Sequence, residues 1–213
     1  MKKKANQLLQ SIFDVNHPFL RGAERVWDIL LLNVLTVATS LPLVTVGLAK
    51  LALQASLWEL EEKGKISCLS TYFSHLKAHL RQGMILSLVD LGLTLVCLLD
   101  LYLVWGQTGI LADFFRVLCL AVLFFSQLLW VYLYPLAARF RLGGKSLFIQ
   151  AILWMGKEIG LTARVALVAG LSLLLLFQSD WSLLIGLVLL VFIGYAAASL
   201  IFIKAFKKVL SSE

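Results

Sequence analysis

Residues 26–60 read VWDILLLNVLTVATSLPLVTVGLAKLALQASLWEL, and the fold turns on how this stretch is divided. It is either one kinked helix with a cytoplasmic stem, or a tight hairpin that reverses at Ser40-Leu41-Pro42. Lysine and arginine decide between the two, because cytoplasmic loops of membrane proteins carry the excess of both. With a reversal at Pro42 the basic residues fall on one side. Lys2, Lys3, Lys4, Arg21 and Arg25 precede the hairpin, and Lys63, Lys65, Lys77 and Arg81 follow it. Arg139, Arg141, Lys145 and Lys157 form a third group, and Lys204, Lys207 and Lys208 a fourth. The outer turns, around Pro42, Gln107-Thr108-Gly109 and Ser179-Asp180, then contain no Lys or Arg. Five spans would put one strongly basic segment outside, so the hairpin reading is preferred.

The remaining apolar blocks divide more easily. Gly83 to Trp105 and Phe114 to Tyr134 are each long enough to cross, since about 20 residues span a bilayer. Leu161 to Phe177 and Trp181 to Ile203 make a third pair. The expected fold is all-α, a polytopic transmembrane bundle of about six spans arranged as three hairpins, with amphipathic cytoplasmic elbow helices and both termini inside. The expected divisions of a single membrane domain, 1–213, run as follows. Residues 1–25 form a cytoplasmic amphipathic segment, 26–61 the first hairpin and 62–82 an elbow. Residues 83–135 form the second hairpin, 136–160 a second elbow, 161–203 the third hairpin and 204–213 a basic tail. The first span, Trp27 to Leu41, is short for about 30 Å of hydrocarbon, so either its ends are extended or the hairpin is partly re-entrant.

Composition agrees. Of 213 residues, 61% are hydrophobic and only 15% charged, against about half and a quarter in soluble domains. A chain this small cannot bury that much apolar surface in a soluble core. The net charge of +7 is spread over the cytoplasmic segments and implies no nucleic-acid partner. No cleavable signal peptide is expected, because the basic start is followed by a polar-interrupted stretch. Cys68, Cys97 and Cys119 make no disulfide framework.

The segments ahead of the spans share a design. Leu69, Tyr72, Phe73, Leu76 and Leu80 fall at helical spacing, as do Leu147, Phe148, Ala151, Ile152 and Met155, and more briefly Leu8, Leu9, Ile12 and Phe13. Such helices are expected at the inner interface, apolar face in the lipid and basic residues near anionic headgroups. Gly64-Lys65 and Lys77 recur as Gly144-Lys145 and Lys157, which suggests a repeated elbow-plus-hairpin unit, although cytoplasmic linkers in general share this look.

Ionisable groups at membrane depth are costly and need partners. Lys50 and Gln54 lie in the second span, Asp90 and Asp100 in the third, Arg116 and Gln127 in the fourth, and Arg164 near the inner end of the fifth. Asp100 and Arg116 are expected to pair across the outer turn. Lys50 is a candidate partner for Asp90, either structurally or in handling a proton or substrate. Asp28 and Asn33, on one face of the first span, are expected to bond across to the second. Catalytic patterns are missing. Gly143-Gly144-Lys145-Ser146 lacks the further glycine a phosphate-binding loop needs, since position 139 is Arg139. His75 and His79 have no acid or cysteine placed to complete a metal site. No cofactor and no enzymatic activity are expected.

Pro18-Phe19-Leu20-Arg21, Trp27-Asp28, Leu31-Leu32-Asn33 and Ser40-Leu41-Pro42-Leu43-Val44-Thr45-Val46-Gly47 together resemble the YesL-like family, domain-of-unknown-function family 624, of bacterial integral membrane proteins. The resemblance is clearest over residues 16–105. Its motif positions are Pro18, Asp28, Asn33, Leu41, Pro42, Thr45 and Gly47. Two departures are Lys50, where the family favours a small or hydroxyl residue, and the missing aromatic soon after Gly47. The resemblance implies a multi-pass protein of the bacterial plasma membrane, encoded beside carbohydrate ABC importers and glycoside hydrolases. It further implies an accessory role with ABC permease subunits or other membrane proteins as partners, besides lipids. A small transporter or channel acting as a homo-oligomer, and a component of cell-envelope polysaccharide assembly, are the other expected readings.

Overall fold

A computed structural model describes residues 18–140, 143–176 and 195–210 of the chain. The expected N-terminal amphipathic stretch up to 17, the third outer turn and the first part of the sixth span lie outside the described residues. Within them the fold is all-helical, with no strand. Three helical segments are long and apolar enough to cross a membrane: Leu43–Lys63, Leu80–Trp105 and Ile110–Arg139.

Helix α1 (Pro18–Thr39) opens on a proline, whose missing N–H costs nothing in a first turn. It is 22 residues long, about 33 Å at 1.5 Å per residue. It contains the expected first span and adds residues 18–25, where Arg21, Glu24 and Arg25 bring charge, so it is not among the three segments apolar enough to cross. The helix stops just before Leu41, because the residue preceding Pro42 is pushed out of helical backbone. The reversal predicted at Pro42 is present. Thr45 Oγ1 donates to Thr39 O and to Pro42 O, both at 2.7 Å, and a short 3-10 turn (Leu43–Thr45) leads into the next helix.

Helix α2 (Val46–Lys63) is buried on almost every side from Gly47 to Leu60. A helix apolar all round has no solvent face and must sit inside a bundle, and α2 is packed by α1, by the first elbow and by three further helices. The elbow α3 (Cys68–Ala78) crosses the first hairpin and breaks at His79. Helix α4 (Leu80–Trp105) follows and turns at Gly109 into α5 (Ile110–Arg139). The second elbow α6 (Gly144–Lys157) breaks at Glu158 into α7 (Ile159–Leu176), so elbow and span repeat in the same order.

The elbows pack only some of their apolar residues against the bundle. Their apolar stripes are split between two surfaces. In α3, Cys68 and Tyr72 are buried against the hairpin, whereas Leu69 and Phe73 point outward. In α6, Leu147 and Ala151 are buried while Ile149, Ile152 and Leu153 are exposed. Helical spacing alone cannot say which part of a broad stripe meets protein. Part of the expected basic tail is helical. Residues 204–210 continue the helix α8 (Tyr195–Leu210), and Phe206 within it is buried against Trp154 and Trp58.

Tyr72 and Cys68 tie α3 to α1. The Tyr72 hydroxyl shares a hydrogen bond of 2.6 Å with Thr39 Oγ1, and burial pushes its pKa up. Cys68 Sγ donates to Asp28 Oδ1 at 3.2 Å. Burial first, and then the Asp28 carboxylate, push this thiol up to about 12. The fold thus favours the neutral thiol, a stabilisation present at neutral pH that fades as pH rises past the ordinary thiol range. Because the thiolate is the reactive form, maleimide labelling of Cys68 at pH 8 in mild detergent should run at least about tenfold slower than in the denatured chain. Equal rates, read by mass spectrometry, would show the thiol to be free.

Candidate functional site

The bundle's polar layer is built where α2, α4 and α5 meet. It depends on a close helix crossing. A Cβ on Gly47 would lie 2.7 Å from Ser87 Cα, and one on Gly83 would lie 2.8 Å from Leu48 Cα. Only glycine permits backbones this near, the small-residue packing typical of membrane helices. Gly47 N–H also donates to Ser87 Oγ at 3.0 Å. One turn further along each helix, the crossing brings Lys50 of α2 to Asp90 of α4.

Lys50 Nζ lies 3.2 Å from Asp90 Oδ2 and 5.4 Å from the centroid of the Tyr134 ring on α5. The Tyr134 hydroxyl reaches the same carboxylate oxygen at 3.4 Å. Asp90 is thus held by a cation and a phenol from two different helices, and Lys50 sits against a π-face. Their side chains are only 23% and 11% exposed, so the pair is weakly screened. Next to it, the Gln54 Nε2 amide donates to Ser199 Oγ of α8 at 3.0 Å. Gln54 Oε1 is buried without a hydrogen-bond partner among the described residues. Tyr195 stands close enough to feel both Gln54 and Asp90.

The expected pairing of Asp90 with Lys50 is therefore present. The expected pairing of Asp100 with Arg116 is not. Arg116 Nη1 instead takes Asp113, three residues earlier on its own helix, at 2.7 Å. Its Nη2 donates to the carbonyls of Val104, Trp105 and Gln107. The carbonyls at the end of α4 and in the turn after it thus take the rest of the guanidinium. Asp100 is exposed, with no ion pair among the described residues. Arg164 is also exposed, its Nε donating to Gly160 O at 3.0 Å.

Asp28 and Asn33 each reach an element beyond the first hairpin. Asp28 accepts from Cys68 on the elbow, and Asn33 Oδ1 accepts the Ala196 N–H of α8 at 2.9 Å. Among the family-motif positions, Thr45 latches the turn, Gly47 makes the crossing, and Leu41 stands exposed at the reversal beside Pro42. Pro18 begins α1.

A second cluster was missed by the sequence reading. At the C-terminal end of α2, Glu59, Glu61 and Glu62 are met by basic side chains from four elements. Arg25 of α1 pairs with Glu61, and Arg139 of α5 pairs with Glu62 while lying over Trp58. Lys63 reaches Glu59 Oε1, and His75 of the elbow reaches Glu59 Oε2, both at 2.7 Å. The visible signal was the acidic run Glu59-Leu60-Glu61-Glu62, set among segments otherwise rich in lysine and arginine.

Within the described residues no group of three His, Cys, Asp or Glu is placed to hold a metal ion. Chemically, the polar layer is a set of paired charges and amides that locks four helices. Residues 29–101 match the family model described as "Protein of unknown function, DUF624", which covers the Pro42 turn, Gly47, Lys50, Asp90 and Asp100. No curated protein and no solved structure matches the chain.

Proposed function

Residues 29–101 match the DUF624 family model, and from that match we propose that the chain is a non-catalytic accessory subunit bound to the permease of a carbohydrate ABC importer. It sits in the bacterial plasma membrane as a multi-pass protein with six spans and both termini inside. The observation that carries this reading is the mutual pairing at the centre of the polar layer. Lys50, Asp90 and Tyr134 satisfy one another inside the bundle, as structural glue does. The distal half of the α4–α5 hairpin supports it further. Its apolar side chains, among them Leu99, Leu103, Phe114 and Phe125, remain uncovered and offer a surface for lipid or for permease helices. Affinity purification from the native host in mild detergent tests the proposal. Permease and ATPase subunits should be recovered with the chain, and its recovery alone would count strongly against an importer role.

A small homo-oligomeric transporter is the second reading, favoured by one observation: a Lys–Asp pair in the interior of apolar helices. Such pairs occur in proton and substrate pathways. In that case Asp90→Asn and Lys50→Met would abolish uptake by a protein that still folds.

A further inference from the structure

We propose that the outer face of the first elbow, α3, is a binding site for an anionic phospholipid headgroup. The inner face of α3 is spent on the hairpin through Cys68 and Tyr72. Its outer face is a shallow groove lined by Leu69, Ser70, Phe73, Ser74 and Lys77. These positions repeat at helical spacing, so one face carries two large apolar groups, two hydroxyls and an ammonium in line. Leu69 and Phe73 are 56% and 43% exposed. Arg81 follows just past the break at His79 and is also exposed.

Charge identifies the occupant. Four acids at this end of the bundle are already engaged: Glu24 by Lys65, Glu59 by Lys63 and His75, Glu61 by Arg25, and Glu62 by Arg139. Lys77 and Arg81 have no carboxylate partner among the described residues. Two uncompensated cations stand beside hydroxyl donors, at the rim of an apolar groove on a chain rich in membrane-crossing helices. That combination fits a phosphodiester with acyl chains attached. The apolar wall takes the lipid body, Ser70 and Ser74 can donate to phosphate oxygens, and Lys77 and Arg81 neutralise its charge. A soluble phosphate would leave Leu69 and Phe73 in water, so the ligand is the lipid. This groove lies on a different helix from the apolar α4–α5 surface offered above to permease helices.

The test uses the full chain, exchanged into mixed micelles of phosphatidylglycerol and phosphatidylcholine and read by native mass spectrometry. The wild type should retain phosphatidylglycerol in preference to phosphatidylcholine. Lys77→Gln with Arg81→Gln should lower that retention about tenfold, as expected for two basic groups near an anionic surface. Lys204→Gln with Lys207→Gln, on α8, should not lower it. Inorganic phosphate at millimolar concentration should fail to displace the lipid, and displacement would show a free-anion site instead. Where the double variant is not monodisperse, Ser74→Glu places a carboxylate in the groove and should cause the same loss. Unchanged retention in either well-folded variant would overturn the proposal. Equal retention of both lipids by the wild type would overturn it too, and point to a protein as the cover of α3.

Discussion

Gly47→Leu is expected to abolish the folded bundle, giving an aggregated or early-unfolding protein where the wild type elutes as one species in detergent. The reason is geometric. The first side-chain carbon alone would stand 2.7 Å from Ser87 Cα and 2.8 Å from Ser87 N, and backbone atoms cannot rotate away as a flexible side chain could. Overpacking of a yielding core costs about 1–3 kcal/mol, and here the core cannot yield without separating α2 from α4. That separation would also release the Gly47–Ser87 hydrogen bond and the Lys50–Asp90 contact one turn away. Gly83→Leu should act similarly, since its Cβ would meet Leu48 Cα at 2.8 Å. Gly92→Leu is the control. It lies on the same helix as Gly83 with nothing within 4 Å, and should be tolerated. Thermal unfolding followed by size-exclusion chromatography separates the three variants. Equal stability of Gly47→Leu and Gly92→Leu would show that the crossing is looser than described.

The Pro42 reversal that leads into that crossing was legible in the sequence because it is local in cause. Pro42 dictates a reversal, Thr45 supplies the hydroxyl that closes it, and Gly47 is the one residue nearby that lets a second backbone approach. The pairing of Asp90 with Lys50 was legible for a different reason, since buried charges must find opposite partners. Tyr134 was not legible. It lies far along the chain among several aromatic residues, and only packing selects which of them faces α4. Arg116 misled the reading because depth suggested Asp100, whereas the guanidinium meets Asp113 and the carbonyls ending α4. The elbows misled it through breadth. A stripe of five apolar residues contains enough for two faces, and spacing does not reveal that Tyr72 reaches inward to Thr39 while Phe73 remains outside.

The largest electrostatic effect is expected at Lys50 and Asp90. Removing one partner of a buried pair leaves the other charge uncompensated and costs about 3–5 kcal/mol. With side chains 23% and 11% exposed, some of that charge is relieved, so a loss of about 2–4 kcal/mol is expected for Lys50→Met or Asp90→Asn alone. Asp90→Asn is the more instructive of the two. It leaves the ammonium against the Tyr134 ring, a contact worth about 2 kcal/mol or less and too weak to replace a carboxylate. The double variant carries no charge at either position and should recover most of the lost stability, because two neutral groups in an apolar bundle have little desolvation left to oppose. A thermodynamic cycle over wild type, both single variants and the double one measures the coupling directly. Coupling near zero would mean that the two side chains meet only in passing. Activity then separates the two functional readings on the same four proteins. If the pair is structural glue for an accessory subunit, function in sugar uptake returns with stability in the double variant. If the pair carries a proton or a substrate, the double variant folds as well as the wild type and still fails to support uptake.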